Sequence, residues 1–159
     1  MSEGIYLDNN ATTMVSPEVV EAMLPFFTEQ FGNPSSIHQF GNKVGMALKN
    51  ARKQVQKLLG AEHDSEIIFT SCGTESDSTA ILSALRCQPE RKEIITTVVE
   101  HPAILTLCEN LEKDGYTVHY LKVDSKGRLD LQEYAQLLTD NVAVVSVTWA
   151  HNETGTDFP

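Results

Sequence analysis

Basic residues are scarce in this chain: twelve Lys and Arg stand against twenty-two Asp and Glu, a net charge of −10. Such a charge repels nucleic-acid backbones and anionic lipid surfaces, so neither is expected as a partner. Long apolar runs are missing as well, and none reaches the length of a membrane-spanning helix. The amino terminus carries Glu3 and Asp8 and no apolar stretch, unlike a secretory signal, and a cytoplasmic location is the expectation. Cysteine is limited to Cys72, Cys87 and Cys108. An odd number at those spacings matches neither a disulfide framework nor a zinc site, and reduced thiols are expected, buried or incidental in all three cases. The five histidines are scattered, and no metal site is expected.

Two nucleotide-binding signatures are also absent. No lysine follows the glycine of Ser71-Cys72-Gly73-Thr74-Glu75, as a Walker A loop requires. Nor does a Gly-x-Gly-x-x-Gly run occur there, which argues against a dinucleotide-binding domain.

The 159 residues, 41% apolar and 21% charged, suit a globular domain with a real core. Ser16-Pro17 reads as an N-cap with proline at the first helical position, followed by Val20, Met23, Leu24, Phe27 and Phe31 at helical spacing, with Pro25 expected to kink the helix. A loop at 32–36 precedes a second helix with Val44, Ala47, Leu48, Ala51, Val55, Leu58 and Leu59 on one face, which Gly60 is placed to end. From residue 66 the pattern becomes βαβα. Strands are expected at Glu66–Thr70, Glu93–Val98, Tyr116–Tyr120 and Val142–Thr148, and helices at Thr74–Leu85, Pro102–Asp114 and Leu131–Leu138, the last opened by Asp130. This alternation predicts an α/β fold with a mainly parallel sheet flanked by helices. The segment 142–147 is apolar on both faces, as a central strand must be.

Ligands in such folds bind beyond the carboxyl ends of the strands, which singles out three turns. Gly73 and Thr74 open a helix whose first N–H groups attract an anion such as phosphate; the same residues make an ordinary N-capped turn. His101 precedes Pro102 at a helix start, where an imidazole stacks on a planar ligand, moves a proton, or merely caps the helix in water. Asn152 in Asn-Glu-Thr-Gly offers an amide to a ring oxygen, or is plain turn chemistry. A phosphate cradle, a stackable ring and an amide at equivalent positions would together suit pyridoxal 5′-phosphate.

The stretches "YLDNNATT" (6–13), "FGNPSSIHQFG" (31–41), "FTSCGTESDSTA" (69–80), "VVEHPA" (98–103) and "NETG" (152–155) resemble, in order, the cysteine desulfurases of the NifS type. These belong to the class V branch of fold type I pyridoxal phosphate enzymes, and the wording is closer to the nitrogen-fixation members. The resemblance implies that Gly73 and Thr74 hold the cofactor phosphate, that His101 stacks on the ring and assists catalysis, and that Asn152 reaches the ring oxygen. It further implies L-cysteine as substrate, alanine and an enzyme persulfide as products, a homodimer, and an iron–sulfur scaffold protein as sulfur acceptor. Where the family usually reads Asn-Asn-Glu, this chain has His151-Asn152-Glu153, which leaves the role of position 151 open.

The family also uses a lysine in a Ser-x-His-Lys segment, an aspartate at the pyridine nitrogen and a mobile-loop cysteine, and no counterpart of them is found in this sequence. The expectation is therefore an amino-terminal portion of the enzyme. Residues 1–60 would form a segment with two helices, and 61–159 the first part of the cofactor-binding domain. Alone, the chain is expected to be inactive and, with its last strand uncovered, not to stay a soluble monomer. Alternatives are another class V enzyme, such as a selenocysteine lyase or aminotransferase, or a non-catalytic phosphate-binding module.

Overall fold

A computed structural model describes residues 4–158. The chain divides into two compact units, residues 1–69 and 70–159.

The first unit is helical. α1 spans Pro17–Thr28 behind the extended N-cap Ser16; it runs through Pro25 and stops three residues later, leaving Phe31 outside it. α2 spans Gln39–Leu59, ended by Gly60 in the left-handed conformation at φ +71°. The loop between them explains two glycines of its motif. A Cβ on Gly41 would lie 2.4 Å from the Ser36 carbonyl oxygen and 2.5 Å from that of Asn33, and one on Gly32 would lie 2.6 Å from the Phe40 backbone. Only glycine permits so close a backbone approach. A 3-10 turn at Asp64–Glu66 follows, and the Arg52 guanidinium donates to the Ile67 carbonyl while lying 4.9 Å from the centre of the Phe69 ring. Apart from Gly41 and Ile67, no described residue of this unit is buried.

The second unit is an α/β layer structure. Its strands β1 (Glu93–Thr97), β2 (Thr117–Leu121) and β3 (Val142–Val145) form one parallel sheet in the order β2-β1-β3. α3 (Gly73–Cys87), α4 (Pro102–Lys113) and α5 (Leu131–Leu137) connect and cover it. Parallel neighbours need crossovers, and here each crossover contains a helix. Ile94 faces a cluster of Ile81, Leu85, Ile104, Cys108 and Leu111 from α3 and α4. Ile95 points the other way, to Leu121 and Val142 with Leu129, Tyr134 and Leu137 around them. The period-2 alternation of β1 thus feeds two cores, one on each face of the sheet.

Two strand expectations change, those for 67–70 and for the length of the last strand, while that strand is uncovered among the described residues, as expected. Residues 67–70 are not a strand: no described segment pairs with them, and Ile68 is 72% exposed. A strand exists only through its ladder, which apolar sequence alone does not supply. The central strand is β1, whose Ile94 and Ile95 are fully buried, whereas β3 lies at an edge with Val145 partly exposed. β3 is shorter than expected, and a register shift sets Val142 opposite Glu93 but Val144 opposite Ile94. At that irregularity the Ala143 carbonyl accepts from the Gln88 amide at 2.9 Å and the Val142 carbonyl from Arg91 at 3.1 Å. Side chains there satisfy backbone carbonyls at an edge that no further strand among the described residues pairs with.

Candidate functional site

Three of the four candidate residues, Gly73, Thr74 and His101, stand at helix starts. Gly73 is the first residue of α3 and Thr74 the second, behind Cys72 as N-cap. Gly73 does not have a positive φ, and a Cβ built on it meets nothing within 4 Å. Neither backbone conformation nor packing within the chain demands glycine there. The position leaves open space before the first N–H groups of α3, which suits an incoming anion. The turn itself is braced: the Ser71 amide and hydroxyl donate to the Glu75 carboxylate, and the Thr70 and Ser76 hydroxyls lie 2.6 Å apart.

Because residues 67–70 join no sheet, this turn follows an unpaired extended segment rather than a sheet strand. The expected equivalence of three post-strand turns therefore reduces to two, those after β1 and β3.

His101 is the N-cap of α4, and its Nδ1 accepts the Ala103 N–H at 3.1 Å. In the neutral ring that leaves the proton on Nε2. The cap engages the edge of the ring and not its faces, so capping and stacking are compatible. His101 and Thr74 line one open cavity of about 440 Å³ between the starts of α3 and α4, together with Ser78, Pro102, Thr106 and Asn110. Gly73 and Asn152 are not among its lining residues.

Asn152 sits in the turn after β3. His151 shapes that turn: its Nδ1 accepts from the Glu153 and Thr154 amides at 3.2 and 3.3 Å, and its carbonyl from the Gly155 amide at 2.8 Å. Gly155 holds φ +69°. Three of the five histidines, His38, His101 and His151, thus cap local backbone through Nδ1, the role an aspartate or asparagine side chain takes elsewhere.

Two residues escaped the sequence reading. One is His151, in this capping role. The other is Glu100, an 8%-exposed acid that follows Val98-Val99; no local sequence pattern marks an acid for burial, since charged residues are mostly exposed.

The thiols are not all buried. Cys72 and Cys87 are exposed and only Cys108 is buried. The Glu75 N–H, then the Ser71 hydroxyl, hold the Cys72 thiol below its usual pKa, because they stabilise the thiolate at a helix start. Burial, reinforced by Glu112 and Glu100, pushes Cys108 up to about 11. Among the described residues no helix is long and apolar enough to cross a membrane, and no group of three or more His, Cys, Asp or Glu is placed to hold a metal ion.

A parallel sheet flanked by helices is the α/β architecture of the NifS-like enzymes. The profile of the family "Aminotransferase class-V" matches residues 5–159, and the chain belongs to that family. It is 78% identical over 155 residues to "Cysteine desulfurase NifS" of Azotobacter vinelandii, covering 98% of this chain and 39% of that protein. A cysteine desulfurase of Azotobacter chroococcum is 72% identical, with 98% and 38% covered. A solved structure titled "NIFS-LIKE PROTEIN" superposes with a TM-score of 0.92 at 40% identity, covering 98% of this chain and 43% of that one. The apo cysteine desulfurase of Thermococcus onnurineus NA1 superposes with a TM-score of 0.85 at 27% identity, with 97% and 38% covered. The chain thus spans about two-fifths of the length of the relatives it matches.

Proposed function

We propose that this chain is the amino-terminal part of a pyridoxal 5′-phosphate-dependent cysteine desulfurase. The observation that carries the reading is the 78% identity to NifS across nearly the whole chain. In this reading Gly73 and Thr74 hold the cofactor phosphate at the start of α3. His101 lies against the pyridine ring and exchanges protons with the reacting groups through Nε2. Asn152 donates its amide to the ring oxygen. The open space at Gly73 and the cavity shared by Thr74 and His101 support this fit. When bound, the cofactor supplies an electron sink for bond cleavage at the substrate carbon, and the protein supplies position and proton transfer.

The whole protein takes sulfur from L-cysteine, leaving alanine, and carries the sulfur as a persulfide on a cysteine outside these 159 residues. It works as a homodimer in the cytoplasm and hands sulfur to an iron–sulfur scaffold protein, in the service of nitrogen fixation.

The test is alanine release from L-cysteine by the intact protein, this chain extended to the length of its relatives, loaded with pyridoxal phosphate. Stoichiometric alanine and, with a thiol reductant, sulfide are expected. Turnover of L-selenocysteine with none of L-cysteine would point instead to a selenocysteine lyase. Transamination with no sulfur release would point to an aminotransferase.

A further inference from the structure

Glu100 lies between the two post-strand turns. Up to Ser146, β1 and the continuation of β3 are tied directly: the Ser146 N–H donates to the Ile95 carbonyl at 2.9 Å, and the Thr96 hydroxyl donates to the Ser146 carbonyl at 3.0 Å. β1 ends at Thr97, although the Val98 N–H still donates to the Leu121 carbonyl of β2 at 3.0 Å. On the side of β3 the Glu100 carboxylate makes the next link, with Oε1 accepting from the Thr148 N–H at 2.8 Å. The same oxygen accepts from the fully buried Thr97 hydroxyl at 3.0 Å, and Thr97 Oγ1 in turn accepts the Val99 N–H at 3.2 Å. Glu100 is itself 8% exposed, and among the described residues it forms no ion pair with a base. A carboxylate buried without a cation depends on such hydrogen bonds.

We propose that Glu100 is the positioning residue of the cofactor site. Its carboxylate oxygen clamps the turn that presents His101 to the segment that leads from Thr148 into the Asn152 turn, and so fixes the spacing of the two groups. This rests on the cofactor reading above, but the clamp is measurable without cofactor. One acceptor atom holds both sides, so acceptor geometry rather than charge is what the site requires.

Three variants of the intact protein separate the possibilities. Glu100→Gln keeps an acceptor oxygen at the same reach, Glu100→Asp keeps the charge but withdraws the oxygen by one bond, and Glu100→Ala removes both. Hydrogen exchange read by mass spectrometry on the apo-protein should show faster exchange in 98–103 and 147–154 for Ala and Asp, with 93–97 unchanged and Gln close to wild type. Titrated pyridoxal phosphate should bind about tenfold more weakly to Ala and Asp, the cost of losing a hydrogen bond. The absorption band of the bound cofactor should move in those two variants and be restored in Gln. Unchanged exchange in Ala and Asp, or Asp like wild type with Gln impaired, overturns the proposal. If Ala does not fold, the comparison of Asp with Gln decides. If wild type takes up no pyridoxal phosphate, the cofactor reading fails, while the exchange data still decide whether Glu100 clamps the turns.

Discussion

The Ser71 amide and the Ser71 hydroxyl both donate to the Glu75 carboxylate, each at 2.6 Å. This pair closes the turn in front of α3, and it holds the Glu75 carboxyl below its ordinary pKa, first through the Ser71 hydroxyl and then through the Ser71 N–H. Replacement of Glu75 by Ala is expected to speed amide exchange at Ser71 and to leave the β1–β2 pairing unaffected. Equal protection of Ser71 in both proteins would contradict this.

The same turn favours the thiolate of the exposed Cys72. The Cys72 pKa is lowered, whereas Cys108 is buried with its pKa raised to about 11. At mildly alkaline pH iodoacetamide should alkylate Cys72 well before Cys108, because the thiolate is the nucleophile. Peptide mass spectrometry over a time course reads the order. Cys108 reacting first would show that the packing of α4 on the sheet is wrong.

Acid should weaken the turn between β2 and α5. The Arg128 N–H first, then its guanidinium, then the Lys126 N–H hold the Asp124 carboxyl at about 2, against an ordinary 3.8. Its folded pKa is depressed, so the stabilisation is present above 3.8 and is lost as the pH falls through about 2. A carboxyl carbon titration by NMR should place the Asp124 midpoint near the lower value. Asp124→Asn should flatten the acid side of the stability profile.

Gly41 is a steric test of the first unit. Its missing Cβ is replaced in space by the Ser36 and Asn33 carbonyl oxygens, with the Ser36 Cβ at 2.7 Å. Gly41→Ala must push backbone aside and is expected to destabilise this unit by about 1–3 kcal/mol, as overpacking does. Gly60→Ala meets no atoms but a left-handed φ, and the penalty there is about 1 kcal/mol. Urea unfolding of both variants, followed by helical circular dichroism, should rank them in that order.

Exposed apolar surface predicts self-association of the 159-residue chain. Leu24, Phe27, Leu58 and Leu59 of the first unit are each more than half exposed, and β3 is an open edge in the second. Light scattering at rising concentration should show association that lowers on Val145→Lys, a charge on the edge strand. A concentration-independent monomer would refute this.

The helices were legible because their signals are local. Ser16-Pro17, Gly60, Gly115 and Asp130 mark ends that the structure keeps to within a residue or two, since each bonds to backbone groups two to four positions away. The motifs "FTSCGTESDSTA" and "VVEHPA" were likewise legible as a family signature. The strands were less so. Ile67-Ile68-Phe69 has the composition of a strand but pairs with no strand among the described residues, and the last strand, apolar over 142–147, is shorter than its pattern suggests.

The sequence by itself determined the start of α1, the stop of α2, both ends of α4 and α5 to within a residue, and the family motifs, because each is a pattern of neighbours a few residues apart. Only the tertiary structure decided that β1 is the middle strand, that Thr74 and His101 share a cavity, and that Glu100 reaches Thr148 across 48 residues. Ladder bonds and buried carboxylates take their partners from distant segments, and no local pattern names those partners.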